Sequence, residues 1–332
     1  MGYDRVTGEV YDAYESYESG GSENSWSSRT SPGGRELDMT DENTDERESR
    51  AVSVGVLKGG FGKTTTALNL ARELAHRNGS ALVVDLDDNG HMSQNLGYDD
   101  QYQADENHAE AVLIGSEDPK QYIESVVGGL DIFPAHEALE DVQSGLKEAT
   151  MGTTRLKENL VDPLLGDEYE YIVVDCPANR GKLNDNAMYA TGNIIIPLRA
   201  ESGYESGLTS TVQRLVMQAR EYFELDILAV TPTDLENRID YDTRDRALLE
   251  EINSRDAVAK LVPNYARLTD DDWAALENGN YDGDLPGIRH RSAIDRAHDE
   301  GLPLRDYDES CDQLSAYAEL SQIVERGEVV RE

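Results

Sequence analysis

The residues best placed to do chemistry lie in the run Lys58-Gly59-Gly60-Phe61-Gly62-Lys63-Thr64-Thr65-Thr66, which follows the apolar stretch AVSVGVL at 51–57. Glycines at this spacing let backbone N–H groups curl around phosphate oxygens, and a helix starting where the loop ends aims its positive end at the same point. Lys63 then neutralises charge on the outer phosphates, and the Thr64 hydroxyl can ligate Mg²⁺. The run fits KGGxGKT more closely than GxxxxGK[ST]. A glycine-rich loop alone is a weak signal, whereas strand, loop, GKT and helix in this order form a strong one. The two cysteines offer nothing comparable. Neither Cys176 nor Cys311 sits in a CxxC, which argues against a disulfide framework, a zinc ribbon or a paired-cysteine iron–sulfur site and points to a reducing compartment.

The elements that must position this loop are legible as apolar runs. After 51–57 they recur at ALVVDL (81–86), LDIF (130–133), YIVVD (171–175), NIIIPL (193–198) and DILAVT (226–231). Each is short and apolar throughout, as a strand buried on both faces should be. Amphipathic helical stretches lie between them. In the first, Ala67, Leu70, Ala71, Leu74 and Ala75 share a face and Asn78-Gly79 supplies the stop. The alternation predicts an α/β fold, a three-layer arrangement with a mainly parallel twisted sheet flanked by helices on both faces. A charged helical stretch is expected from Ile239 to Ile252, and a last helix from Cys311 to Val324. Between them LVPNYARLTDDDWAALENGNYDGDLPG is dominated by Asn, Asp, Gly and Pro, so a loop insertion is expected near 265–285.

The 332 residues include 67 acidic and 30 basic ones, a net charge of −37. Residues 1–50 hold only −8 of it, so the acidity runs the length of the chain. Self-repulsion on this scale is screened within ~3 Å at 1 M salt, and the balance is that expected of a cytosolic protein from a high-salt organism. Residues 1–48 are rich in Ser, Gly, Glu, Asp and Thr, with spaced tyrosines and almost no aliphatic side chains. They bury too little to offset the entropy of ordering and are expected to be a disordered acidic tail, leaving 49–330 as the folded domain. No apolar run approaches the ~18 residues of a membrane span. The acidic start MGYDRVTGEVYD is unlike a signal peptide, and Val6 stands where a myristoylation motif needs Ser or Thr.

The lysine that opens the loop narrows the class. KGGFGKTTT closely resembles the deviant Walker A motif of the ParA/MinD class of P-loop ATPases, in which this signature lysine reaches across a dimer interface to phosphates held by the other subunit. ALVVDLDDNGHMSQNLG resembles that family's second strand and switch I, GGLDIFPA its next strand, and EYIVVDCPANRGKLNDNAM its Walker B strand and switch II. GLPLRDYDESCDQLSAYAEL is similar to the segment that leads into the final helix of plasmid and chromosome partition proteins of the ParA type. The resemblance covers about residues 50–328 and implies ATP and Mg²⁺ as ligands and a weak Mg²⁺-dependent ATPase activity. It implies that Lys58, Gly59, Gly60, Phe61, Gly62, Lys63, Thr64 and Thr65 hold the nucleotide, Lys58 and Lys63 also serving catalysis. Asp175 would hold Mg²⁺ through water, as a Walker B carboxylate does. Asp87 matches the switch I aspartate that orients the attacking water; Asp85 lies nearer the metal or merely caps the strand. Two departures concern the switches: Asp88-Asn89 replaces the usual Pro-Gln, and Pro177-Ala178 replaces Pro-Pro.

Within this class a nitrogenase-type reductase needs cluster cysteines that are missing, and the ending SQIVERGEVVRE lacks the basic and bulky apolar residues of a MinD-type membrane helix. A partition ATPase binds DNA nonspecifically as its ATP-bound dimer. Arg289, His290, Arg291 and Arg296 match the part of the family sequence where DNA-contacting arginines occur, with pairing to nearby carboxylates as the competing role. Because the whole chain repels DNA, such a face must be a local patch. The resemblance thus implies plasmid or chromosome partition by an ATP-dependent homodimer, with nonspecific DNA and a ParB-like or other centromere-binding protein as partners, no membrane, and a cytoplasmic, nucleoid-associated location. The alternatives are an ATPase of the same fold that positions a protein cargo or division factor, and a nucleotide-gated adaptor with little hydrolysis.

Overall fold

A computed structural model describes residues 48–201, 208, 210–237, 244–281 and 285–331. The acidic segment expected to be disordered lies outside the described residues up to position 47. Seven strands form one sheet: β1 Arg50–Val54, β2 Ala81–Asp85, β3 Glu124–Val127, β4 Leu130–Phe133, β5 Tyr171–Asp175, β6 Asn193–Arg199 and β7 Asp226–Thr233. Their order is β3-β4-β2-β5-β1-β6-β7, and every pair is parallel except β3 with β4. The six apolar runs are all strands. β3 has no such run because it is a partly exposed edge strand, and Gly128-Gly129, at φ 27° and 85°, folds it back on β4 as a hairpin.

The helix Lys63–Asn78 follows β1 and lies against β1, β2 and β5, burying Ala67, Leu70, Ala71 and Leu74 completely. Gly79, at φ 102°, ends it by donating its N–H to the Ala75 carbonyl at 2.8 Å. The last helix, Leu314–Arg326, packs beside it and contributes Leu320, Ile323 and Val324 to the same core. Two forked ion pairs hold the connecting segment in place: Arg305 on Glu73 at 2.6 and 2.7 Å, and Arg72 on Asp306 at 2.6 and 2.9 Å. Glu73 is 1% exposed, and both of its carboxylate oxygens are engaged by this fork.

The charged helix spans Arg244–Ser254; its expected first residues lie outside the described ones. The expected loop at 265–285 contains a two-turn helix, Asp270–Glu277. Its start is a capping box, in which Thr269 Oγ1 accepts from the Asp272 N–H at 3.2 Å and the Asp272 carboxylate accepts from the Thr269 N–H at 2.8 Å. Composition pointed to loop, and the local capping signal in TDDD outweighs it. No helix among the described residues is long and apolar enough to cross a membrane.

Candidate nucleotide-binding site

The loop from Gly55 to Gly62 joins β1 to the helix Lys63–Asn78 at the C-terminal edge of the sheet, where α/β sheets bind ligands. Gly60 and Gly62 have φ of 78° and 74°, and a β-carbon on Gly62 would meet Thr233 Oγ1 at 3.0 Å, so both conformation and space require glycine there. The helix begins with no side-chain cap and no acidic residue in its first turn. Its free N–H groups and positive end are therefore left for an anion. Lys63 is buried beside them, and Thr64 and Thr65 are half-buried. Phe61 is fully buried and carries Lys58 Nζ 4.9 Å above its ring. A cavity of about 460 Å³ runs along Gly59–Thr65 and is also lined by Asp87, Asn89, His91, Ala178, Arg199 and His298.

Asp175 ends β5 in register with Asp85 at the end of β2. It is completely buried, and neither carboxylate oxygen makes a hydrogen bond of ordinary length, the Thr64 hydroxyl being near enough only for a weak one. Burial pushes its pKa well up, the neighbouring Asp85 charge adds to this, and Lys63 and the Thr64 hydroxyl oppose it. A buried carboxylate with the Thr64 hydroxyl beside it at a phosphate loop fits a Mg²⁺ shell. Among the described residues no group of three or more His, Cys, Asp or Glu side chains could hold a metal alone. The remaining ligands would therefore be the Thr64 hydroxyl, water and substrate phosphates, the mixture Mg²⁺ favours.

Asp85 is occupied differently. One of its oxygens accepts from the Asp87 N–H at 3.1 Å, and the other accepts from the Ser93 N–H at 3.0 Å and the Ser93 hydroxyl at 2.7 Å. Burial raises its pKa to about 6 against the effect of these hydrogen bonds. The carboxylate thus closes the loop 85–93 on itself, which supports the strand-end role over the metal role. Asp87, 8% exposed, accepts from the Asn89 N–H at 3.1 Å and the Asn89 side chain at 2.7 Å. The Asn89 that departs from the family pattern is therefore the residue that holds Asp87. In the loop after β5, Asn184 donates to the carbonyls of Pro177 and Asn179, and Gly181 lies so close to Gln143 that a β-carbon would overlap it.

The proposed DNA-contacting arginines do not form one surface, and Arg289 requires a correction. It is 1% exposed, its Nη1 donates to the Glu236 carbonyl at 2.5 Å, and burial lowers its pKa to about 10. The cause is a backbone bridge: Leu235 donates to Ile288 O at 3.0 Å and accepts from the His290 N–H at 2.8 Å, drawing 288–290 into the end of β7. Arg291 is half-buried and forked onto Asp312 at 2.9 and 2.5 Å, the competing role foreseen for it. Arg296 is exposed. Arg289, His290 and Arg291 instead line a second cavity, of about 180 Å³, that opens beside Gly60, Thr65 and Thr66. Its other walls include Arg199, Thr233 and Asp234, which sequence reasoning missed. They stand at the ends of β6 and β7, and the rule that ligands sit at strand C-termini could have found them.

With this geometry in place, relationships to known proteins become informative. Residues 49–225 match the AAA domain family. The chain is 30% identical over 227 residues to the sporulation initiation inhibitor protein Soj of Bacillus subtilis, covering 67% of this chain and 87% of Soj. It is 31% identical over 185 residues to the maintenance of carboxysome distribution protein A of Synechococcus elongatus, covering 54% of this chain and 71% of that one. The fold matches that of a putative plasmid partition protein of Borrelia burgdorferi bound to AMPPNP, with a TM-score of 0.62 at 20% identity, over 84% of this chain and 100% of that one. The chain belongs to the AAA domain family and is a ParA/MinD-like P-loop ATPase by fold and sequence.

Proposed function

We propose that this protein is a Mg²⁺-dependent ATPase that dimerises on ATP, binds DNA without sequence preference in that state, and is released by hydrolysis, so as to partition a plasmid or chromosome with a centromere-binding partner protein. The observation that carries the nucleotide part is the convergence, at one sheet edge, of an uncapped helix N-terminus, Lys63 and the buried Asp175 carboxylate. The phosphates would lie in the loop cavity and the nucleoside in the adjoining cavity lined by Thr233, Asp234 and Ile288. Thr64 and Asp175 would hold Mg²⁺, which would supply charge neutralisation at the phosphates. Asp87, held by Asn89, faces the same cavity and is positioned to orient a water. Lys58 acts on the partner subunit's nucleotide, so Lys58→Ala should abolish ATP-dependent dimers in light scattering yet retain nucleotide binding. Equal dimerisation of the two proteins would exclude this arrangement.

The second reading is a cargo-positioning ATPase, supported by the 31% identity to the carboxysome distribution protein. ATPase turnover and DNA retention measured together in molar KCl separate the two. A dimer that hydrolyses ATP but never retains DNA favours cargo positioning through another surface.

A further inference from the structure

The similarity to known motifs stops at Gly97 and resumes at Gly128, and Tyr102 lies between them. It ends the short helix Asp99–Tyr102, remote in sequence from the phosphate loop, yet its side chain lies on the loop that carries Asp87. The Tyr102 hydroxyl donates to the Asp88 carbonyl at 3.0 Å. Its ring fills the space above Gly90: a β-carbon there would stand 2.3 Å from Cε2 and 2.5 Å from Cδ2. Gly90 has φ 56°, donates its N–H to the Asp87 carbonyl at 2.9 Å and begins the helix His91–Asn95. Tyr102 is itself anchored, because its carbonyl accepts from the Glu137 N–H at 2.9 Å, just before the helix Leu139–Glu148.

We infer that Tyr102 is a positioning residue for the reaction: its ring and hydroxyl press and tether the 87–90 turn from outside while Asp85 and Ser93 fasten it from inside, so that Asp87 keeps one orientation. This inference rests on the reading of Asp87 as the residue that orients water. The hydroxyl is a dependable donor, since burial and the carboxylates of Glu137, Asp88, Asp85 and Asp87 all raise its pKa. An unconstrained turn with a glycine in left-handed conformation samples many states, and each misplacement of the carboxylate costs rate without costing phosphate contacts.

The test compares Tyr102→Phe, which keeps the ring, with Tyr102→Ala in the full chain. With Mg²⁺-ADP bound, hydrogen exchange at the amides of Asn89 and Gly90 should speed up about fivefold or more in Tyr102→Phe and further in Tyr102→Ala, since a lost hydrogen bond is worth ~1 kcal/mol. Exchange in the helix Lys63–Asn78 should not change. In turnover, Tyr102→Phe should lower kcat about five- to tenfold while KM for ATP stays within about twofold. In an Asp87→Asn background the same change should have no further effect. Unchanged exchange at Asn89 and Gly90 would overturn the inference, as would an equal kcat loss in the Asp87→Asn background. Full turnover by Asp87→Asn itself would instead sink the reading of Asp87, with the exchange result still reporting on the tether.

Discussion

At the scale of single residues, the site depends on what each carboxylate is asked to hold. Asp175 has at most a weak contact from the Thr64 hydroxyl, whereas Asp85 is engaged on both oxygens by its own loop. Ser93 is the pivot, because its hydroxyl donates to Asp85 at 2.7 Å and accepts from the Ala135 N–H at 2.8 Å. Ser93→Ala leaves a buried carboxylate oxygen and a buried N–H each short of a partner. It should destabilise the protein by about 1–3 kcal/mol in urea unfolding. A change below about 0.5 kcal/mol, the range of an ordinary surface substitution, would mean that water replaces the hydroxyl.

At the scale of elements, the segment between β2 and the helix Leu139–Glu148 supports the 85–93 loop from behind. His108 opens the helix His108–Leu113 and packs edge-on against Phe133 at the end of β4, with His136 and Tyr122 as ring neighbours. Its Nε2 lies 2.8 Å from the Pro134 carbonyl, a contact that puts the proton on that nitrogen. Burial lowers its pKa, partly offset by that hydrogen bond and by Glu106, while His136 adds to the lowering. The unfolded chain takes up a proton near the ordinary value of ~6.5 and the native state only below it. The contribution of His108 is therefore complete above that value and is lost as pH falls from it through the native pKa. His108→Gln, which can donate to the same carbonyl without titrating, should flatten the decline in Tm between about pH 7.5 and pH 5.5. Parallel curves for both proteins would assign the decline to other groups.

At the scale of the molecule, a charge of −37 on 332 residues means that most surface pairs repel. The Debye length shrinks from ~10 Å at 0.1 M to ~3 Å at 1 M salt, so Tm should climb between these KCl concentrations. A flat or falling Tm would show that the ion pairs, which salt weakens, outweigh the repulsion. On the proposed reading, the same field would govern how DNA is met. Arg296 is exposed, and its reversal to Glu should weaken ATP-dependent DNA retention and reduce the log–log salt slope by about 0.9 per lost phosphate contact. Arg289→Glu acts otherwise, because it puts a carboxylate where a guanidinium is 1% exposed. It should lower Tm and nucleotide binding together, and normal Tm with selective loss of DNA would return Arg289 to the DNA face.

The sequence alone determined the phosphate loop, its helix and six of the seven strands. Those features are local: glycines choose the backbone's φ, a run of apolar residues chooses burial on both faces, and Asn78-Gly79 stops a helix whatever lies around it. β3 and the helix Asp270–Glu277 escaped because an edge strand and a capped polar helix need no apolar run. Only the tertiary structure decided the rest of the site. The four-residue stretch Ile288-Arg289-His290-Arg291 reads as a basic surface cluster, but pairing with Leu235 buries Arg289 and turns its neighbours toward the phosphate loop. Nothing near Tyr102 in sequence shows that it lies over Gly90. Long-range backbone pairing sets which side chains meet, and that pairing depends on how the entire sheet is ordered rather than on the residues adjoining each site.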